Sequence, residues 1–477
     1  MSRTLVSSVV YGFGFVVQRA VGVIMLPLYT RAIPPSEYGA LGVLLSAYVA
    51  VGVLFAAGLE VAITRNYFQL APEPERRQEF LDSLWRFLVV YPLLASLALA
   101  LAAWPFLGGA QYVGPLEVLL MLLGAAINAA ATTLPLSVLR ARQDLRGYLW
   151  MAFVAAVVTP ALTVLLVVFL DQGIRGWFLA TLIANAATLA TAVVVVPWHP
   201  RGRIKWEVVR LALLFSLPLV PHFFSHWALQ LADRAVIAGM VSAADLGTYT
   251  IAGVLATPVL MLVFALNQGF SPTYARAGAE KRGDAGLYNM VRLHLTIVVG
   301  LTLAGAMFGR SLVEILTAPG YHGAAPLVPW LVLGYGFLGA YFVPMNGATL
   351  GAGRSTFAWV ATALSAAANI ALLLLLVPRY GLYSAAVASA AGYLVLLVLI
   401  ATWAHARPNP VRYDWLRIGQ AVAAGSLAYL GATVTSPDSP AVALLVQTGW
   451  LVTFCAAVAV VSFRSQVAVR LRSLSRR

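Results

Sequence analysis

Long apolar runs recur along the whole of this chain, and about twenty such residues in a row are what a helix needs to cross a bilayer. Fourteen stretches qualify: Leu5–Thr30, Tyr38–Ile63, Leu84–Leu107, Gly114–Leu139, Tyr148–Leu170, Ile174–Pro197, Leu211–Asp233, Leu246–Phe270, Met290–Leu316, Ala325–Leu350, Thr356–Val377, Leu382–Ala404, Leu416–Thr435 and Val442–Phe463. Their continuity excludes a β-barrel, whose strands are about ten residues long and alternate in polarity. The first run exceeds a signal-peptide core and no small-residue cleavage site follows it, so it is expected to remain in the protein. With 61% hydrophobic and only 10% charged residues, the chain lacks the polar surface that a water-soluble fold of this size requires. The fold class is all-α: a polytopic membrane protein of about 14 transmembrane helices. The net charge of +14 then reports orientation and anionic lipid headgroups, and nucleic acid is excluded as a partner. The single cysteine, Cys455, excludes an intrachain disulfide and any Cys-based metal cluster.

Basic residues in the connections test the helix order. One side of the membrane takes 25 of the 31, from Arg3 through Arg65, Arg76, Arg77, Arg140 and Arg142 to the tail Arg470, Arg472, Arg476 and Arg477. The other takes five, Arg31, Arg175, Arg234, Arg310 and Arg379, and Arg19 lies within the first helix. Such a split collapses if one helix is missed or added near the start. Both termini are therefore expected in the cytoplasm, with the chain in the cytoplasmic membrane. No connection is long enough to hold an aqueous catalytic domain. The two longest, Arg65–Ser83 and Ser271–Asn289, are expected to form short surface helices.

Landmarks repeat at an offset of 208 residues. Glu37-Tyr38-Gly39 opens the second helix as Asp245-Leu246-Gly247 opens the eighth, Arg146 matches Arg354, and Gly173-Ile174 matches Gly381-Leu382. Six helices per repeat is an even number, so the two units stand the same way up, an arrangement that transporters use to rock one half against the other. The reading is a first lobe at 1–200, a second at 208–405, and an accessory helix pair with a basic tail at 406–477.

Asp233-Arg234-Ala235-Val236-Ile237, Gly247-Thr248-Tyr249 and Asn267-Gln268-Gly269-Phe270-Ser271-Pro272 resemble the polysaccharide-biosynthesis flippases. Gly58-Leu59-Glu60-Val61-Ala62-Ile63-Thr64-Arg65-Asn66-Tyr67-Phe68 and Tyr380-Gly381-Leu382-Tyr383-Ser384-Ala385-Ala386 carry the same resemblance. These are the O-antigen and exopolysaccharide (Wzx-type) exporters of the superfamily that also holds multidrug extruders and lipid II flippases. The resemblance covers most of the first twelve helices. It implies a transporter rather than an enzyme, a polyprenyl-diphosphate-linked oligosaccharide as substrate, and membrane lipids and glycan-assembly proteins as partners. The last helix pair resembles that of fourteen-helix members, where it is associated with the lipid tail.

Polar residues inside apolar runs are the candidate site. Arg19 lies about 21 Å into its helix at 1.5 Å per residue, and an unpaired arginine there costs on the order of 3 kcal/mol. It faces either a wet cavity and an anion or a structural partner on a neighbouring helix. His222, His226 and Gln230 recur every four residues and form one stripe, which Asp233 and Arg234 continue to the outer mouth. The repeat sets Gln18 opposite His226 and Gly14 opposite His222. The stripe either lines a cavity or makes interhelical hydrogen bonds, and its histidines are weaker candidates for proton sensing. Glu60 and Gln268 are repeat equivalents, read either as a gate or cation site or as interfacial groups near Arg65. Asn128, Thr132, Thr133, Asn185, Asn346 and Asn369 read chiefly as groups that cement helices, and Pro27, Pro218, Pro221, Pro258 and Pro344 as bending points.

The histidines lack the glutamate of a zinc-binding HExxH helix, and the chain has no GxxxxGK[ST] phosphate loop. No catalytic group, metal or cofactor is expected. Three functions compete. They are a flippase for an anionic lipid-linked oligosaccharide, a multidrug cation antiporter of the same superfamily, and a membrane-embedded polymerase or glycosyltransferase. An organic-cation site concentrates buried carboxylates, whereas here the mid-membrane ionisable groups are Arg19, His222 and His226. The outer connections are too short for the enzyme, so the flippase is preferred.

Overall fold

The computed structural model describes residues 21–106, 112–196, 203–279, 285–351, 357–406 and 411–474. No strand occurs among them. The helices are α1 (Leu26–Ala32), α2 (Pro35–Ala56), α3 (Leu59–Gln69), α4 (Pro74–Ala103), α5 (Pro115–Arg142), α6 (Leu145–Thr163), α7 (Gly173–Val195) and α8 (Trp206–Ser216). They continue as α9 (Val220–Ile237), α10 (Ala243–Ala279), α11 (Ala285–Leu316), α12 (Val328–Asn346), α13 (Ala358–Tyr380), α14 (Leu382–His405), α15 (Trp415–Thr435) and α16 (Pro440–Leu474). Twelve helical runs among the described residues are long and apolar enough to cross a bilayer. Of the fourteen expected spans, α15 is long enough at 21 residues, but Arg417 and Gln420 in its first turns lower its hydropathy. The first run, Leu5–Thr30, lies mostly outside the described residues, and α1 is its described end. Large apolar side chains stand exposed on most helices, as on Leu101, Val194 and Leu211, which suits a surface solvated by lipid tails.

Helix boundaries follow local chemistry. Proline at the first helical position opens α2, α4, α5 and α16, where its missing N–H removes nothing. The Glu117 carboxylate accepts the Gly114 N–H at 2.9 Å and caps α5. Left-handed Ala57 (φ 49°) and Gly58 (φ 68°) separate α2 from α3. The expected surface helices do not stand apart from the spans. Residues 65–69 end α3, 74–83 open α4, and α10 runs on to Ala279. A polar stretch with helix-forming Glu, Arg and Gln prolongs an existing helix more readily than it nucleates a new one.

By packing, the chain divides into one unit of residues 1–250 and another of 251–477. In the first, α5 packs against α2, α3, α4 and α7, and α9 packs against α2. Alanines 125, 126, 129, 130 and 131 are all buried, and such small side chains let helices approach closely. Buried Trp85 donates its indole N–H to the Ala130 carbonyl at 3.0 Å. The first turns of α2 meet the first turns of α10 backbone to backbone. A Cβ on Gly39 would lie 2.1 Å from the Ala243 carbonyl oxygen, and one on Gly247 1.9 Å from that of Pro35. The contact is reciprocal. Residues 35 and 39 touch 243 and 247, their partners at the 208-residue offset, and Gly42 abuts Thr250 in the same register.

The second unit packs α12 between α11 and α14, and α13 against α14. The α15–α16 hairpin lies on α11, where Leu303, Met307, Ala428, Ala432 and Phe454 form a buried cluster. Gly381, which opens α14, is left-handed (φ 69°), as is its repeat equivalent Gly173 (φ 51°), which opens α7. Only glycine adopts such angles without a steric penalty.

Candidate functional site

The seventh span is not one helix. Pro218 and Pro221 both lack an N–H, and the chain passes from α8 through a 3-10 turn, Leu217–Leu219, into α9. His222 therefore sits in the first turn of a half-helix.

From there the stripe runs along α9 as the four-residue spacing requires. The His222 and His226 rings stand edge to face, 5.7 Å between centroids. The Gln230 amide nitrogen lies 3.3 Å from His226 Nδ1. With the amide donating, Nδ1 accepts and the ring proton sits on Nε2. His222 Nδ1 is buried and makes no hydrogen bond within the described residues. One turn further, Arg234 Nη1 meets Asp233 Oδ1 at 2.9 Å and donates to the Gln230 carbonyl at 3.3 Å. Asp233 Oδ1 also accepts the Arg234 backbone N–H, and its Oδ2 accepts the Tyr249 hydroxyl at 2.5 Å. Asp233 and Arg234 are both buried. The structure thus joins His222, His226, Gln230, Asp233 and Arg234 in one continuous polar path. One end of that path carries ring and amide groups, and the other carries a paired charge.

The path is held against α2 by a reciprocal pair of bonds. Trp227 donates its indole N–H to the Ser46 carbonyl at 2.9 Å, and the Ser46 hydroxyl donates to the Leu231 carbonyl at 2.6 Å. Neither Ser46, Trp227 nor Tyr249 stands out in sequence as a functional residue. The nearest signal is Gly247-Thr248-Tyr249, whose glycine is the one that touches Pro35.

The remaining candidates lie elsewhere. Glu60 is exposed on α3, and its partner is Arg140 at 3.7 Å, not Arg65, whose guanidinium lies 4.5 Å over the Phe215 ring. Gln268 is exposed on α10, and the adjacent Asn267 accepts the Asn346 amide at 2.7 Å. Asn185 donates to the Tyr48 hydroxyl and to the Gly124 carbonyl, both at 3.0 Å, and so ties α7 to α2 and α5. Arg19, Gln18 and Gly14 lie outside the described residues. No group of three or more His, Cys, Asp or Glu able to hold a metal ion occurs among the described residues.

Every fully buried carboxylate among those residues is engaged. Asp82 accepts from the Gln78 amide at 2.9 Å, Glu117 pairs with Arg175 at 3.1 Å, and Asp233 has Arg234 and Tyr249. Among the described residues, no fully buried carboxylate is left without a partner.

Helices of bilayer length with a stripe of polar side chains on one of them define a polytopic all-α membrane protein. The chain belongs to the polysaccharide biosynthesis protein family, whose model matches residues 28–326. A lipid II flippase, MurJ, in its inward closed conformation matches 97% of this chain and 100% of its own at 11% identity, with a TM-score of 0.65. An inward-facing multidrug resistance MATE family transporter of the MOP superfamily covers 84% of this chain and 95% of its own (14% identity, TM-score 0.63). A MOP superfamily transporter from Pyrococcus furiosus, in which reverse polarity of the binding pocket suggests a different function, covers 87% and 95% (13% identity, TM-score 0.58). At these identities the likeness is one of fold. No curated protein matches the chain.

Proposed function

We propose that this chain flips a polyprenyl-diphosphate-linked oligosaccharide across the cytoplasmic membrane. The observation that carries this reading is the chemistry of the path on α9. A site for organic cations concentrates unpaired carboxylates in low dielectric, where opposite charge offsets desolvation. Here each fully buried carboxylate among the described residues already has a partner, while His222, His226 and Gln230 offer hydrogen-bonding groups to phosphate and sugar oxygens. Membership of a polysaccharide biosynthesis family and a fold shared with a lipid II flippase support the same substrate class.

In this mechanism the lobes at 1–200 and 208–405, related by an axis along the membrane normal, rock against each other, and both termini face the cytoplasm. The basic cytoplasmic face draws the anionic glycolipid and anionic headgroups to the surface. The diphosphate enters against Arg19, Gln18 and the histidines, while the tail stays in lipid beside the accessory pair at 406–477. The ion pair of Asp233 and Arg234 closes the outer end, and Glu60 and Gln268 flank the inner one. The chain moves its substrate without making or breaking a bond in it.

A cation antiporter is the second reading. It requires Asp233 to leave Arg234 and Tyr249 and to bind the drug or its coupling ion. Purified protein in liposomes decides between the two. A fluorescent polyprenyl-diphosphate oligosaccharide should become accessible to an impermeant quencher on the far side, and ethidium should not accumulate under an imposed proton or sodium gradient. Ethidium transport without glycolipid movement would reverse the assignment.

A further inference from the structure

The second unit contains a cavity that the α9 path does not use. It has a volume of about 540 Å³ and opens at the end of the unit where α15 turns into α16. That volume is within the usual range for a small-molecule site, about 300–1,000 Å³. By the charge distribution it lies on the side opposite the cytoplasm. Five segments build it: α11, the 3-10 turn Pro319–Ala324, α12, α14 and the α15–α16 hairpin.

Its lining combines aromatic rings with planar polar groups. Trp330 donates its indole N–H to the Tyr383 hydroxyl, and the two rings stand edge to face at 6.0 Å. With its lone pair so used, the Tyr383 hydroxyl retains a proton to donate, and the side chain is exposed. Tyr429 of α15 adds a third ring. Arg310 and Glu314 pair at 3.0 Å on one face of α11. Gln447 is buried and fixed by two hydroxyls, accepting from Ser311 at 3.2 Å and donating to Ser436 at 3.4 Å. His322 also lines the cavity, and its buried Nε2 has no hydrogen-bond partner within the described residues.

This set selects a class of ligand. Arg310 is balanced by Glu314, and Asp438 adds a second carboxylate, so the cavity carries no excess of positive charge for a diphosphate. An apolar ligand would leave His322 Nε2 unsatisfied and cover the Arg310–Glu314 pair without replacing its water. A sugar meets both demands. Its axial C–H groups pack on aromatic faces, and its vicinal hydroxyls donate to a carboxylate and accept from a guanidinium, a phenol or an imidazole. The cavity is large for one hexose ring and has room for a disaccharide.

We propose that this cavity is a carbohydrate-binding site for neutral hexose units, separate from the α9 path and completed by the accessory helix pair. It holds sugar by ring faces and hydroxyls and has no part in recognising phosphate. The hairpin supplies Tyr429, Asp438 and Gln447, so residues 406–477 do more than flank a lipid tail.

The test needs neither lipid-linked substrate nor transport. Full-length protein in nanodiscs is titrated with maltose, lactose and diacetylchitobiose, with inorganic pyrophosphate as competitor, and binding is read by saturation-transfer NMR. The expected result is millimolar binding of at least one disaccharide that pyrophosphate does not displace. Glu314→Gln and Tyr383→Ala should each weaken it at least tenfold, with a thermal melt confirming that both variants fold. Trp330→Phe should weaken it less. Absence of binding across the three sugars, displacement by pyrophosphate, or wild-type affinity in a folded Glu314→Gln protein would each overturn the proposal. A protein that binds disaccharide yet flips no glycolipid would keep this site and lose the transport reading, and the reverse result would do the opposite.

Discussion

The two ends of the first unit each hold an ion pair, and the surroundings make them different objects. At the outer end, Asp233 and Arg234 are 2.9 Å apart with side chains only 8% and 10% exposed. At the inner end, Glu60 and Arg140 are 3.7 Å apart and about half exposed, at 54% and 48%. The outer pair has further hydrogen bonds from Tyr249 and the backbone and sits beside the Gly39–Gly247 contact. A buried pair matters through what breaking it leaves behind, an uncompensated charge in low dielectric. An exposed pair is screened by water and salt and contributes little. On the proposed transport reading, the Asp233–Arg234 end resists opening until something exchanges for its bonds, and the Glu60–Arg140 end opens at little cost.

The largest expected effect comes from breaking the outer pair on one side. Asp233→Ala deprives buried Arg234 of its carboxylate and should destabilise the protein by about 3–5 kcal/mol. Thermal melts in detergent should show the lowest midpoint of the set. Tyr249→Phe removes one hydrogen bond to a charged group, an interaction of about 1.5–3 kcal/mol, and its melt should fall between that of Asp233→Ala and wild type. Adding a methyl group tests the contact beside the pair. Gly247→Ala places a carbon against the Pro35 carbonyl and should destabilise by about 1–3 kcal/mol, read as a smaller drop in the melting midpoint. The smallest effect belongs to the inner end. Glu60→Gln should change stability by no more than about 1 kcal/mol, with a shift that vanishes in high salt. Equal losses from Asp233→Ala and Glu60→Gln would erase the contrast between the ends.

Much of the fold is legible in sequence because lipid imposes a single rule: each crossing segment must satisfy its own backbone, so length and hydropathy alone locate helices. The 208-residue offset likewise announces itself through glycines, since Gly173 and Gly381 occupy angles that other residues avoid, and Gly39 and Gly247 meet where no side chain fits. The stripe of His222, His226 and Gln230 is legible because i,i+4 spacing fixes a shared face whatever the helix packs against. What the sequence does not carry is which helix faces that stripe. Ser46 and Tyr249 are ordinary residues until α2 and the start of α10 come alongside α9, and Glu60 pairs with Arg140 only because α3 turns away from α2 at Ala57. Nothing in an alanine signals a left-handed turn. The cavity of the second unit is equally silent, because its lining comes from five separate segments, each unremarkable alone.

The central claim is that the inner end of the α9 path handles an anionic glycolipid head. The most direct measurement compares flipping of a polyprenyl-diphosphate oligosaccharide by wild-type and His226→Ala protein, in liposomes matched for protein amount and melting temperature. The account predicts a loss of at least tenfold in the variant, with the melting temperature unchanged. Flipping at the wild-type rate by a folded His226→Ala protein would contradict it.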